Sequence, residues 1–321
     1  MESLDYYKKG VLEGDRVTLS RAITLIESKK NIHQELAQEL IESILPFTGK
    51  SVRLGITGVP GVGKSTFIDA FGSYLTKHNH QVAVLSIDPS STRTRGSILG
   101  DKTRMERLSH DPKAYVRPSP SGNHLGGVAS RTRETMLLCE AAGYDIIIVE
   151  TVGVGQSETA VRDMVDFFLL LMLAGGGDEL QGIKRGIMEM ADMILINKVD
   201  DDNEKAGKLA KKEYERALHL FPPASSGWSI PVETVSAIQE TGLGNVWQTI
   251  QNYLELVNSN GYFEELRKEQ SLLWFHELLR QQLESNFYGQ PGIKENISDI
   301  QKSISDGTMS ARSGIRSLFK G

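Results

Sequence analysis

The chain has 321 residues, of which 36 are basic and 41 acidic, and its formal net charge is −5. This balance predicts binding of neither nucleic acid nor an anionic membrane surface, because both attract clusters of positive charge. The single cysteine, Cys139, excludes an intramolecular disulfide and a thiolate-rich zinc site, and it indicates a reducing, cytoplasmic location.

No segment is predicted to be exported or to cross a membrane. The start of the chain, MESLDYYKKGVLEGD, lacks the apolar stretch of a signal peptide. The longest apolar run, FFLLLMLA at 167–174, is far too short for a bilayer. A run of this length is typical of a strand that is buried on both faces of a sheet.

The spacing of apolar residues predicts helices first and then alternating strands and helices. Residues 1–48 repeat apolar side chains at spacings of three and four, as helices with one buried face do. Further helices are predicted at 64–77, 128–142, 203–219 and 241–257. The strand-like runs between them are SVRLGITG, QVAVLSID, AYVRPSP, YDIIIVET, VDFFLLLML, DMILINKVD and IPVETVSA. This alternation predicts an α/β fold with a mostly parallel sheet flanked by helices.

Three regions follow from this pattern: a helical segment at 1–48, an α/β domain at 49–257 and a helical segment at 258–321. In the last region, SLLWFHELLRQQLES predicts an amphipathic helix. The candidates for its apolar side are Leu272, Leu273, Phe275, Leu279 and Leu283.

The segment GVPGVGKS at 58–65 matches the phosphate-binding pattern G-x-x-x-x-G-K-[ST], with a predicted strand before it and a helix after it. Glycines let backbone N–H groups turn toward phosphate oxygens, and the helix directs its positive N-terminus at them. Lys64 would bridge the β- and γ-phosphates, and Ser65 would bind Mg²⁺. The alternative is an ordinary glycine-rich turn. The predicted contact residues are Gly58, Val59, Pro60, Gly61, Val62, Gly63, Lys64, Ser65 and Thr66.

The segment NKVD at 197–200, at the end of the apolar run MILI, predicts recognition of guanine. The Asp200 carboxylate can accept hydrogen bonds from N1–H and from the N2 amine, a pair of donors that adenine lacks. The methylene stem of Lys198 can cover the base, and Asn197 can tie this segment to the phosphate loop. The alternative is a polar turn.

The segment VSA at 235–237 strengthens the guanine prediction. Beside Ser236, a backbone N–H near Ala237 can donate to guanine O6, and it opposes the amino group of adenine. Sites that leave buried polar groups unpaired discriminate strongly against the wrong ligand. The sequence therefore predicts GTP and GDP rather than ATP and ADP.

Acidic residues at two strand ends are candidates for the metal site and for catalysis. Glu150 ends the run DIIIVE, at the position where many small GTPases carry aspartate, and its carboxylate can hold Mg²⁺ directly or through water. Asp88 ends an earlier strand, and Asp101 lies further along the same segment. Both are predicted to serve the metal ion or the attacking water.

Two polar loops carry further candidates. Arg93 and Arg95 can neutralise charge during phosphoryl transfer, and the bland alternative is that they are solvated. In the glycine-rich segment 174–192, Asp178, Glu179 and Lys184 can reach the nucleotide or a partner, and a plain surface loop is the alternative. Lys184 is the candidate catalytic residue of this loop.

Six segments together resemble the MeaB/ArgK family of P-loop GTPases, which belong to the SIMIBI class. In chain order they are GITGVPGVGKSTFIDA, VLSIDPSSTRTRGSILGDKTRM, RPSPSGNHLGGVA, IIIVETVGVGQSE, GDELQGIKRGIMEMAD and NKVD. The resemblance is dense over 50–257 and looser at the helical ends. It implies a P-loop NTPase fold, and it implies that a glutamate at position 150 is the family's ordinary form of this motif.

The resemblance also implies a function. Members of this family assist adenosylcobalamin-dependent acyl-CoA mutases, chiefly methylmalonyl-CoA mutase, and GTP hydrolysis gates cofactor delivery and protection. It implies Mg²⁺ and GTP or GDP as ligands, the loop 178–188 as a switch, and a homodimer joined through the C-terminal helical arm at 258–321. The alternatives are a nucleotide-dependent kinase, after an old label of the family, a nickel-insertion GTPase and a pure scaffold.

Overall fold

The computed structural model describes residues 2–87, 105–117, 125–151, 157–175 and 185–319. The chain divides into two compact units, Met1–Gln270 and Ser271–Gly321. Across the described ranges, no helix is long and apolar enough to cross a membrane.

The chain begins with three helices, α1 (Leu4–Leu12), α2 (Arg16–Glu27) and α3 (Asn31–Ile44). Polar side chains cap two of them: Ser3 accepts the N–H of Tyr6 in α1, and Asp15 accepts the N–H of Thr18 in α2. Their apolar positions recur at helical spacing and are buried, including Leu19, Ile23, Leu40 and Ile44. The helical interpretation of 1–48 is therefore confirmed.

Seven parallel strands form one sheet in the described part of the chain, with the order β3-β2-β4-β1-β5-β6-β7. All seven strand-like runs of the sequence form strands. Their bounds are β1 (Val52–Gly58), β2 (Val82–Ile87), β3 (Ala114–Arg117), β4 (Ile146–Thr151), β5 (Phe167–Leu173), β6 (Met193–Asn197) and β7 (Val232–Thr234). Because every strand runs the same way, their carboxyl ends share one edge, where ligands bind in open α/β sheets.

Helices cover both faces of this sheet. Strand β4 shows why its sequence is a continuous apolar run: Ile146 and Ile148 face one layer, while Ile147 and Val149 face the other. The remaining helices are α4 (Lys64–Lys77), α5 (Glu106–His110), α6 (Leu125–Ala141), α7 (Ser157–Arg162), α8 (Arg185–Met190), α9 (Glu204–Leu218), α10 (Leu243–Ser259), α11 (Tyr262–Tyr288), α12 (Ile293–Ser305) and α13 (Ala311–Leu318). The predicted α/β fold with flanking helices is confirmed.

An aspartate directly precedes each of three strands, β4, β5 and β6, at the amino edge of the sheet. Each carboxylate accepts the backbone N–H of a residue in the adjacent strand or just before it. The pairs are Asp145 with Gln81 at 2.6 Å, Asp166 with Arg53 at 2.8 Å and Asp192 with Phe168 at 2.8 Å. These contacts satisfy N–H groups that the sheet ladder leaves open at its end.

Asp166 is the most buried of the three aspartates. Its side chain is fully covered, and it pairs with Arg267 of α11. The Arg267 guanidinium donates to both carboxylate oxygens, from Nε at 2.9 Å and from Nη2 at 2.7 Å. It also donates to the carbonyl of Ser51 at 2.7 Å. A bidentate, buried pair of this kind depends on both partners, since removal of either one weakens the compensation of the other's buried charge.

We expect Asp166→Ala to lower the free energy of unfolding by about 3–5 kcal/mol, because it removes the carboxylate that accepts two hydrogen bonds from the buried Arg267 guanidinium. Urea unfolding followed by circular dichroism measures this loss. Asp145→Ala is the matched control: the residue has the same position before its strand, but its side chain is 49% exposed and it pairs with His80. We expect Asp145→Ala to lower the free energy of unfolding by about 1 kcal/mol or less. Equal losses in the two variants would contradict the importance of the buried pair.

Candidate functional site

The phosphate-binding pattern lies between β1 and α4, at the carboxyl edge of the sheet. Strand β1 ends at Gly58, and α4 begins at Lys64 directly after Gly63, whose φ of 90° is left-handed. A Cβ atom at Gly58 would lie 2.4 Å from the carbonyl oxygen of Leu171 in β5. Only glycine fits this close approach, so the loop depends on it.

The rest of this loop divides into an exposed and a buried part. Pro60 and Gly61 are exposed, Val59 is half-buried and Val62 is fully buried in the core below. Thr66, in the first turn of α4, is exposed. The buried valine anchors the loop, while its crest and the N-terminus of α4 remain open to a ligand.

The Lys64 side chain folds back over this loop. Its Nζ donates to the carbonyl of Gly58 at 2.8 Å and lies 3.4 Å from that of Val59. Burial lowers the pKa of Lys64 below its ordinary value, while the carboxylates of Glu150 and Glu158 act in the opposite direction. A partly desolvated ammonium in this position can compensate the charge of a phosphate.

Ser65 and Glu150 meet beside Lys64. The hydroxyl of Ser65 donates to Glu150 Oε1 at 3.1 Å, and Glu150 is only 3% exposed. The parallel pairing of β1 and β4 places Glu150 opposite Ile56, two residues before Gly58. A hydroxyl and a carboxylate are the oxygen ligands that Mg²⁺ prefers, so these two side chains fit a magnesium ion that accompanies a bound nucleotide.

Two threonines next to this pair were not singled out from the sequence. Thr57 and Thr151 are buried, and their hydroxyl oxygens lie 2.9 Å apart. They join the strand that enters the phosphate loop to the strand that carries Glu150. The sequence could have indicated both threonines, because Thr57 directly precedes Gly58 and Thr151 directly follows Glu150, which are predicted site residues.

The segment 197–200 contacts the phosphate loop through two side chains. Asn197 is buried, and its Nδ2 donates to the carbonyl of Val62 at 2.8 Å. Lys198 has a left-handed φ of 60°, and its Nζ donates to the carbonyl of Gly61 at 2.7 Å. The predicted tie between Asn197 and the phosphate loop is therefore present in the structure, and Lys198, which was predicted to cover the base, adds a second contact with this loop.

Asp200 lies against the segment 235–237. The Ser236 hydroxyl donates to Asp200 Oδ1, and Val199 N–H donates to the carbonyl of Val235 at 3.2 Å. Ser236 and Ala237 are both buried, with exposures of 0% and 4%. The serine fixes one oxygen of the Asp200 carboxylate, so that the side chain is oriented before a ligand arrives.

Several predicted residues lie outside the described part of the chain. These are the candidate metal and catalytic residues Asp88, Asp101 and Lys184, and the loop residues Arg93, Arg95, Asp178 and Glu179. Their roles stay predictions. The structure brings together Lys64, Ser65 and Glu150 on one side of the loop, and the Asn197–Asp200 segment with Ser236 on the other.

The glycine-rich loop, the Lys-Ser pair, the acidic strand end and the Asn-Lys-x-Asp segment at one edge of a parallel sheet define a P-loop nucleotide-binding protein of the guanine type. The model of the family described as "Methylmalonyl Co-A mutase-associated GTPase MeaB" matches residues 19–292. The chain belongs to this family, as its motifs predicted.

Named relatives agree with the family. A "Putative GTPase" of Caulobacter vibrioides is 49% identical over 96% of this chain and 94% of its own length. A "Methylmalonic aciduria type A homolog, mitochondrial" of Mus musculus is 43% identical over 96% of this chain and 76% of its own. A solved "LAO/AO transport system kinase" is 38% identical with a TM-score of 0.78, and the match covers 98% of this chain and 96% of that one.

Proposed function

We propose that this protein is a GTPase chaperone that binds and hydrolyses GTP to gate the loading and protection of an adenosylcobalamin-dependent acyl-CoA mutase. The observation that carries the proposal is the match of residues 19–292 to a family of mutase-associated GTPases. Methylmalonyl-CoA mutase is the proposed partner, because the description of the family names it.

In this proposal GTP lies along the carboxyl edge of the sheet. Lys64 and the backbone of 58–66 bind the phosphates, and Ser65 with Glu150 holds Mg²⁺, which compensates phosphate charge when bound. Asp200 reads the base, while Lys198 covers it. The oriented carboxylate of Asp200 and the hydroxyl–carboxylate pair at Ser65 support these roles.

Hydrolysis by the chain alone is proposed to be slow. Among the described residues, the side chains that meet at the start of α4 are the Lys64 ammonium, the Ser65 hydroxyl and the Glu150 carboxylate that accepts this hydroxyl. Asp88, Asp101 and Lys184 are proposed to complete the site when the mutase binds. The rate of GTP hydrolysis then depends on whether the mutase is bound.

We propose a homodimer in the reducing cytoplasm, joined through the C-terminal arm. Helix α11 carries an apolar stripe that is exposed in the single chain, with Leu272 at 62%, Phe275 at 58% and Leu283 at 61%. An exposed apolar surface of this kind marks a protein interface. Light scattering of the purified protein tests the dimer, and a mass equal to one chain at all concentrations would refute it.

Adding the acyl-CoA mutase of the same organism is expected to accelerate GTP hydrolysis about tenfold or more, as partners that complete a GTPase site do. Phosphate release by the purified protein, alone and with saturating mutase, measures this effect. Lys64→Ala serves as the control for contaminating phosphatases. A rate unchanged by the mutase would leave a GTPase without this partner.

A second candidate function, that of a protein kinase, is favoured only by the likeness to the solved "LAO/AO transport system kinase". The destination of the labelled phosphate from γ-labelled GTP distinguishes the GTPase reaction from the kinase reaction. Label in inorganic phosphate supports the GTPase, whereas stable label on an added protein would support the kinase.

A further inference from the structure

We infer that Glu240 is a positioning residue for guanine binding, which holds the loop 236–241 against the helix that starts at the phosphate loop. This inference rests on the proposed binding of guanine nucleotides at the same site. It adds two residues, Glu240 and Arg107, that no motif of the sequence had marked.

The loop 236–241 is closed on itself at its base. Ser236 and Thr241 form an antiparallel bridge, with N–H to carbonyl distances of 3.2 Å and 3.1 Å. The Ser236 hydroxyl also accepts the N–H of Gln239 at 3.1 Å while it donates to Asp200. A displacement of this loop would therefore move the hydroxyl that orients the Asp200 carboxylate.

Glu240 connects the loop to the rest of the domain. Its φ of 55° is left-handed, which is uncommon for a residue other than glycine. Its side chain pairs with Arg107 of α5, and its Oε2 lies 3.8 Å from Lys77 Nζ at the end of α4. Two cations from two helices thus face one carboxylate.

The cation Arg107 is itself held on α4. Its Nε lies 3.8 Å from Asp69 Oδ2, and the adjacent N–H of Leu108 donates to Asp69 Oδ1 at 3.0 Å. The two helices pack closely, because a Cβ atom at Gly72 would lie 2.6 Å from Leu108 Cδ1. Arg107 is half exposed but pairs with Asp69 of α4 as well as with Glu240, so it links the base loop to α4.

This arrangement holds the base site and the phosphate site together from two sides. On one side, Asn197 and Lys198 donate to carbonyls of the phosphate loop. On the other side, Glu240 ties the base loop to α4, the helix that begins at Lys64. Val235 and Ala237 share a buried cluster with Phe67 of α4, so the loss of Glu240 loosens the exposed part of the base loop while the phosphates stay bound.

We expect Glu240→Gln to accelerate GDP release about fivefold and Arg107→Gln about threefold, the range for partly exposed ion pairs in a network. Stopped-flow release of fluorescent GDP measures both rates. The double variant should be no faster than Glu240→Gln alone, because the two changes break the same contact. The preference for GDP over inosine diphosphate, which lacks the N2 amine read by Asp200, should fall in both variants.

The dependence of GDP release on salt concentration shows whether Glu240 acts through its charge or only through its packing. Between about 0.05 M and about 1 M KCl, the difference in release rate between wild type and Glu240→Gln should shrink, since salt screens exposed pairs. Glu204→Gln is the matched control, because it breaks the exposed pair between Glu204 and Lys208 on α9. Its release rate should equal that of wild type, and unchanged melting temperatures would exclude misfolding.

Two results would overturn the inference: GDP release from Glu240→Gln at the wild-type rate, or additive effects in the double variant. Neither result affects the proposed function. That function fails instead if the wild-type protein shows no preference for GDP over ADP, which the same release assay detects before any variant is made.

Discussion

Replacing Asp200 with asparagine is expected to weaken GDP binding about 100-fold or more and to create binding of xanthosine diphosphate. In the proposed site the Asp200 carboxylate accepts two hydrogen bonds, from the N1–H and from the N2 amine of guanine. An amide there presents an N–H group to the N2 amine, so two donors face each other. Xanthine carries a carbonyl oxygen at that position, which the amide can satisfy.

The orientation of Asp200 makes this exchange possible. The Ser236 hydroxyl is buried and can donate to an amide oxygen as well as to a carboxylate, so the side chain of the Asp200→Asn variant keeps its place. Competition between GDP and xanthosine diphosphate measures the change. Asp202→Asn is the matched control, because this exposed aspartate lies two residues further along the same segment. Unaltered GDP affinity in Asp200→Asn would remove Asp200 from the base site.

Residues whose roles are local could be recognised from the sequence alone. The central strands β4, β5 and β6 are rich in apolar residues, and β5 is apolar at every position because helices cover both of its faces. The helix predicted at 64–77 has those bounds in the structure, since Gly63 and Lys64 mark its start. The phosphate loop and the Asn-Lys-x-Asp segment follow patterns that depend on neighbours in the chain, so their sequence suffices.

Contacts between distant segments could not be read in the same way. Asp166 looks like one more polar residue before a strand, and only the fold brings Arg267, 101 residues later, against it. Glu240 and Arg107 are 133 residues apart, and neither belongs to a motif. Apolar spacing also failed to say what covers Leu272 and Phe275, because a pattern that indicates a buried face does not show whether the cover comes from the same chain.

The structure also shows the contacts of the glutamate at position 150, where many small GTPases carry aspartate. The side chain of Glu150 is buried beneath the phosphate loop and reaches the Ser65 hydroxyl directly. It acts with Glu158 to oppose the effect of burial on the pKa of Lys64. The same carboxylate that is proposed to hold the metal ion therefore also acts on Lys64 through its charge.

We expect Glu150→Gln to lower GTP hydrolysis about 100-fold or more, in line with the loss of a charged group that acts in the transition state. The amide can still accept the Ser65 hydroxyl, so the local structure should persist. It cannot compensate Mg²⁺, and it no longer supports the protonated state of Lys64. GDP binding without Mg²⁺ should change much less, because the base contacts at Asp200 are untouched. Single-turnover phosphate release and GDP titration separate the two effects.

Two further variants separate the effect of the negative charge near Lys64 from the effect of the length of the Glu150 side chain. Glu150→Asp keeps the charge but shortens the side chain by one methylene, so we expect a loss of about tenfold, the range for altered positioning around a metal. Glu158→Gln removes a carboxylate that acts on Lys64 through its charge. We expect this variant to lower the rate of GTP hydrolysis about threefold or less. If Glu150→Asp hydrolyses GTP as fast as wild type, reach is irrelevant, and the contact between Glu150 and Ser65 has no part in holding the metal.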